Sequence, residues 1–191
     1  MRDPDHELVR RCRGGDGAAQ ELLYRRYADR VWRYGWLGTR SREGAAEVVQ
    51  ETFLRVLRSI GKFRGSSTLA TWVFAVTRSA GLAYLRERRR HEVPDCEAPL
   101  LRLVPVGEET PAEPTESELR ERLREAVAEL PGAQRDAIVL FDLCSMSLEE
   151  TRKVLGWSLT RVKSTLFRAR RRLREVIGQQ GSEDMRGQEN A

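Results

Sequence analysis

Two histidines and three cysteines are all that the 191 residues supply of the side chains that most often hold metals. Cys12, Cys96 and Cys144 are far apart, odd in number and form no CxxC pair. Neither a disulfide framework nor a zinc site at ordinary ligand spacing is expected from them. His91 and Cys96 stand near one another, but a site there needs ligands from elsewhere. The sequence contains no GxxxxGK[ST] phosphate loop, no HExxH, no GxSxG and no GxGxxG. No clustered Asp/Glu/His constellation stands in their place, which disfavours a nucleic-acid-processing enzyme. The expectation is a protein with no catalytic residues, no metal and no cofactor. No apolar run approaches the ~20 residues of a membrane span. Met1-Arg-Asp-Pro-Asp-His6 lacks the apolar core of a secretory signal, so a cytoplasmic protein with no membrane contact of its own is expected.

Charge is what the chain has in quantity. One third of its residues are charged, with a net of +5, and 40% are apolar, enough for a packed core. The charge comes in blocks: +9 over residues 1–91, −7 over 92–129, +5 over 130–177 and −2 over 178–191. Five of the seven prolines (94, 99, 105, 111 and 114) fall in the acidic block. Proline fixes φ and removes a donor, so residues 92–116 read as an extended acidic linker. Two basic modules joined by an acidic tether suggest a nucleic-acid binder that grips two places. Solvated helix faces are the plainer account of the same charge.

The apolar spacing is helical throughout. Asp16 can cap a helix in which Ala19, Leu23, Tyr27, Val31 and Tyr34 share a face, with Gly38 closing it. After Ser41, Ala45, Val48, Val49, Thr52, Phe53 and Val56 form a second stripe. The face opposite carries Glu47, Gln50, Glu51, Arg55 and Arg58. A loop over 61–67 follows, then a third pattern from Thr68 through Leu69, Trp72, Val73 and Val76 to an arginine cluster that includes Arg86. In the loop, Lys62 and Arg64 can neutralise phosphate, Phe63 offers a stacking ring, and Ser66 and Ser67 lie at a helix N-terminus. Such a loop can hold an unstacked base; equally, Phe63 can cap the core and the serines the helix.

Residues 117–177 form the second module. Ser117 can cap a helix through Leu130, and Pro131 suits the first turn of the next. Ser147-Leu-Glu-Glu150 has capping-box spacing, Gly156 supplies a turn and Ser158 can cap a final basic helix. A short helix, a glycine turn and a basic amphipathic helix make a helix-turn-helix whose second helix enters the major groove. A membrane-surface or partner helix is the other use of such a face. Ser158, Thr160, Arg161, Lys163 and Ser164 lie in its first turns, where side chains reach base edges; Arg168 and Arg170 lie nearer the phosphates. The fold expected is all-α: two small helical domains, an extended linker and a flexible tail at 178–191.

Glu47-Val-Val-Gln-Glu-Thr-Phe-Leu-Arg55, Phe63-Arg-Gly65, Thr71-Trp72 and Ala75-Val-Thr-Arg78 resemble region 2 of bacterial sigma factors of the extracytoplasmic-function type. Leu130-Pro131, Gln134-Arg135, Leu148-Glu-Glu150, Leu155-Gly156, Val162-Lys-Ser164 and Arg168-Ala-Arg170 resemble region 4 of the same family. The resemblance implies that the Glu47, Gln50, Glu51, Arg55 and Arg58 face docks on the clamp helices of core RNA polymerase. It implies that the loop with Lys62, Phe63, Arg64, Ser66 and Ser67 captures a base flipped from the minus-ten element. Trp72, Arg78 and Arg86 would carry the rest of that recognition. Region 4 would read the minus-thirty-five element and touch the polymerase flap, and an anti-sigma factor would hold the protein inactive. The chain departs from the family pattern at Ser79, Ala83, Thr151, Arg152 and Thr165. The rival reading is a two-module helix-turn-helix regulator that acts without being a polymerase subunit.

Overall fold

The computed structural model describes residues 4–91 and 116–188, with side chains from 5 to 90 and from 122 to 176. The linker placed at 92–116 lies outside them but for its last residue, as does the Ser117 side chain expected to cap. Among the described residues every regular element is helical.

The first module is built from α1 (Pro4–Arg13), α2 (Gly17–Thr39), α3 (Arg42–Ser59) and α4 (Leu69–His91), with a 3₁₀ turn over Ile60–Lys62. Asp16 caps α2 by accepting from the Ala19 amide at 3.1 Å, and Ser41 caps α3 through the Gly44 amide at 3.1 Å. These caps satisfy donors that a helix start leaves open. Gly38 does not close α2. The helix runs to Thr39, and Arg40 takes the left-handed conformation at φ 55°, held by its N–H to the Trp36 carbonyl. Leu23, Tyr27, Val31, Val48, Val56, Leu69, Val73 and Phe74 make the solvent-free centre. The helices come close at Gly35, where a Cβ would stand 3.2 Å from the Ala45 Cα, and at Gly44, where it would meet the Tyr84 hydroxyl at 2.7 Å.

The second module contains α5 (Glu116–Glu129), α6 (Gly132–Ile138), a π-helical turn over Val139–Leu143, α7 (Leu148–Leu155) and α8 (Leu159–Gln188). Pro131 sits at the N-cap of α6, one residue before the helical position expected of it. The reciprocal capping box of Ser147 and Glu150 opens α7, and Gly156 ends it at φ 69°. Ser158 accepts from the Arg161 amide at 3.2 Å to start α8. The tail placed at 178–191 is helical through Gln188, because no proline or cap interrupts the ladder of α8. Thr151 is buried with its hydroxyl on the Ser147 carbonyl, and Arg152 turns away from the core to Glu149.

The two modules pack on each other. The Tyr34 hydroxyl donates to one oxygen of Asp136 at 3.0 Å and Arg78 Nε donates to the other at 3.1 Å. Arg33 donates to the Leu143 carbonyl at 2.7 Å, and Arg30 to the carbonyl of Cys144. Thr68, at the start of α4, donates to Glu150 of α7 at 2.7 Å. Burial opposes ionisation of Glu150, but hydrogen bonds from Ser147 and Thr68 outweigh it and hold the carboxyl below its ordinary range. Burial pushes Tyr34 well above the ordinary range and Cys144 up to about 11. Cys144 is wholly buried, its thiol 3.6 Å from the Arg30 carbonyl, so it reports on the joint. Asp136→Asn leaves Arg78 without a carboxylate and weakens the joint by roughly 1–2 kcal/mol. With Cys12→Ser and Cys96→Ser in place, labelling of Cys144 at pH 8 accelerates about fivefold or more, since it proceeds through the opened state. An unchanged rate would show that Asp136 does not hold the modules.

Candidate nucleic-acid interface

The loop between α3 and α4 is held at both ends. Arg13 of α1 donates to the Ile60 carbonyl at 3.2 Å and to the carbonyl of Phe63. The Phe63 ring is half-buried, its centroid 5.3 Å from that of Trp72 at an interplanar angle of 45°. Lys62, Arg64 and Ser66 are exposed, and Gly65 makes the turn at φ 73°. Neither serine caps α4. Thr68 does so, accepting from the Thr71 amide at 3.2 Å, while the Ser67 hydroxyl donates to the Thr68 carbonyl. Phe63 is half-buried against the core, and its sequence neighbours Lys62 and Arg64 are exposed. Arg78 lies away from this loop, committed to Asp136, and Arg86 is exposed further along α4.

On α8, Thr160, Arg161, Lys163, Ser164 and Arg168 face outward, while Val162, Thr165, Leu166, Ala169 and Leu173 are buried. Ser158 is exposed at the start of the helix. Thr165 therefore takes no part in the outer face. The guanidinium of Arg161 lies 4.4 Å from the Trp157 ring centroid, a cation–π contact that aims the side chain along the first turn. Arg170 turns inward to Asp142 at 2.6 Å and over the Phe141 ring. Phe167 was missed by sequence reasoning. It is 65% exposed, one turn beyond Ser164 and off the buried stripe, which was the available signal.

On α3, Glu47, Gln50 and Glu51 line an open groove against α4, with Leu54, Tyr84 and Glu87. Arg55 pairs with Glu51 at 2.5 Å and reaches Ser79 at 3.4 Å, and Arg58 is exposed. Ala83 lies in the floor of the same groove. Leu54, 39% exposed in the middle of this polar face, was also missed; it continues the spacing 47, 50, 51, 54. Among the described residues no group of three or more His, Cys, Asp or Glu is placed to hold a metal ion.

The family model for sigma-70 region 2 matches residues 23–91, and that for sigma-70 region 4 matches residues 120–173. The chain is 31% identical over 174 residues to the ECF RNA polymerase sigma factor SigM of Mycobacterium tuberculosis, covering 91% of this chain and 85% of that one. It is 33% identical over 182 residues to the ECF RNA polymerase sigma-E factor of Haemophilus influenzae, covering 91% and 95%. The fold resembles that of CnrH in complex with the cytosolic domain of CnrY, with a TM-score of 0.68 at 21% identity, covering 92% and 98% of the two chains. It also resembles RpoE of Bartonella quintana in complex with the anti-sigma factor NepR, with a TM-score of 0.64 at 24% identity, covering 83% and 98%. Both regions occur here in order on one chain that aligns nearly end to end with curated members, and the chain belongs to the extracytoplasmic-function RNA polymerase sigma factors of the sigma-70 family.

Proposed function

We propose that this chain binds core RNA polymerase through the outer face of α3 and directs initiation at a specific set of promoters, doing no chemistry of its own. The observation that carries the reading is the pairing, on one chain, of a half-exposed aromatic between cations at a helix start and a capped helix-turn-helix with a basic reading helix. Phosphate contacts position the two modules, and a few side chains specify sequence. In the first module Phe63 supplies a stacking surface for a base leaving the duplex, with Lys62 and Arg64 on the flanking phosphates. In the second, Arg161, Lys163 and Ser164 face base edges, and Phe167 offers an apolar surface suited to a thymine methyl. CnrH and the Bartonella RpoE were each solved with a protein bound. A protein antagonist that holds the modules together is the regulation this chain is suited to. No helix among the described residues is long and apolar enough to cross a membrane; a cytoplasmic place follows from the role.

Run-off transcription with purified core enzyme tests the reading. Promoter-specific initiation that requires this chain supports it, whereas tight operator binding with no effect on core enzyme would refute it. Glu51→Ala with Arg55→Ala lowers affinity for core enzyme about tenfold in a pull-down titration, since both lie on the exposed α3 face. Phe63→Ala leaves closed-complex binding nearly unchanged and lowers open-complex formation roughly 5- to 100-fold, the range for one base stack. Permanganate reactivity of promoter thymines reads the second effect, and equal reactivity in both proteins would count against it.

A further inference from the structure

A groove between α2 and α5 is used by neither the DNA-facing surfaces nor the α3 face. Trp32 and Trp36, one turn apart on α2 and 36% and 37% exposed, stand across from Leu123 and Val127 of α5. Leu143 also lines it, and Arg33, Arg42 and Arg124 stand among the lining residues, with Asp29 the one acid among the described residues there. Two half-exposed tryptophans facing a leucine make an apolar surface of the sort that is covered in use.

The residues joining the two modules match this groove. Their one apolar run, Leu100-Leu-Arg-Leu-Val-Pro-Val106, is preceded by Glu92, Asp95 and Glu97 and followed by Glu108, Glu109 and Glu113. Acid, apolar, acid along the chain suits a groove whose apolar side chains stand among three arginines. The two attachment points also lie beside it. The joining segment re-enters at Glu116, at the start of the helix whose Leu123 forms one wall. It leaves at His91, seven residues beyond Tyr84, whose hydroxyl abuts Gly44 two positions from Arg42. Glu116 is then about 10 Å of helix from Leu123, and His91 about 10 Å of helix from Tyr84. The nine residues from 107 to 115 and the eight from 92 to 99 each span up to ~27–30 Å.

We infer that residues 100–106 of this same chain occupy the groove between α2 and α5. Seated there, the run touches both modules and adds an apolar contact to the polar joint around Asp136. Its flanking carboxylates lie toward Arg33, Arg42 and Arg124. Separation of the modules on a partner then requires the run to leave the groove, so what the joining segment binds and how the modules are arranged become linked.

The test uses the full-length chain with p-benzoyl-phenylalanine in place of Leu123 and, in a second protein, of Trp36. Irradiation is expected to give an intramolecular cross-link that mass spectrometry maps to residues 98–106 from both probes, with a yield independent of protein concentration. Leu101→Asp with Leu103→Asp lowers that yield at least fivefold while the helical circular-dichroism spectrum stays unchanged. A cross-link whose yield rises with concentration identifies a second copy of the chain as the occupant and overturns the inference. Cross-links that avoid residues 98–106, or that persist in the double-aspartate variant, overturn it as well.

Discussion

Asp136 stands between the modules with one carboxylate oxygen on Tyr34 and the other on Arg78, and the shape of the molecule depends on that placement. Residues 1–91 carry a net charge of +9 and residues 117–177 one of +4, so the mutual field of the modules is repulsive. Contact requires that acceptors of the second module meet donors of the first at short range. Asp136, the carbonyls of Leu143 and Cys144, and Glu150 supply them, and Arg30, Arg33, Tyr34, Arg78 and Thr68 answer. The π-helical turn over Val139–Leu143 belongs to this arrangement. It brings two carbonyls to arginines of α2 at the place where an α-helix is about to stop.

The acids that follow α5 in the second module are all engaged within the fold. Between residues 130 and 177 there are five, and each has a close polar partner: Asp136 on Arg78, Asp142 on Arg170, Glu149 on Arg152, Glu150 on Thr68 and Ser147, Glu175 on Arg171. Acids spent inside the fold leave the outer surface of α8 to arginine, lysine, serine and threonine. A surface so arranged attracts a polyanion over distances of about a Debye length before any base is read.

Caps and stripes were legible in the sequence because their rules are local. Asp16, Ser41, the Ser147–Glu150 box, Gly156 and Ser158 all act where their residue types place them. The end of α2 was not legible, since a non-glycine residue, Arg40, takes the left-handed position there. The Thr39 hydroxyl, which donates to the Gly35 carbonyl and accepts from the Ser41 amide, braces that turn. The helix at Pro4–Arg13 escaped notice because only Leu8, Val9 and Cys12 mark its buried side. The candidate residues at 47–58, 62–67 and 158–168 could be named from pattern and resemblance. Their partners could not, since periodicity states which way a side chain points and not what it meets. Arg78 and Arg170, both read as contacts for DNA, meet carboxylates of the protein itself.

Thr68 and Glu150 cross from one module to the other, yet each keeps a bond to its own helix. Glu150 caps α7 with the oxygen that does not reach Thr68, at 2.9 Å from the Ser147 amide, and Thr68 caps α4 through Thr71. Parting the two therefore strips no helix of its cap. The bond that breaks is replaced by water on both sides, and the secondary structure on each side stays whole. The polar bond across this part of the joint can thus be broken and remade without loss of a helix cap on either side. At this place the stitches of the seam are independent of the cloth.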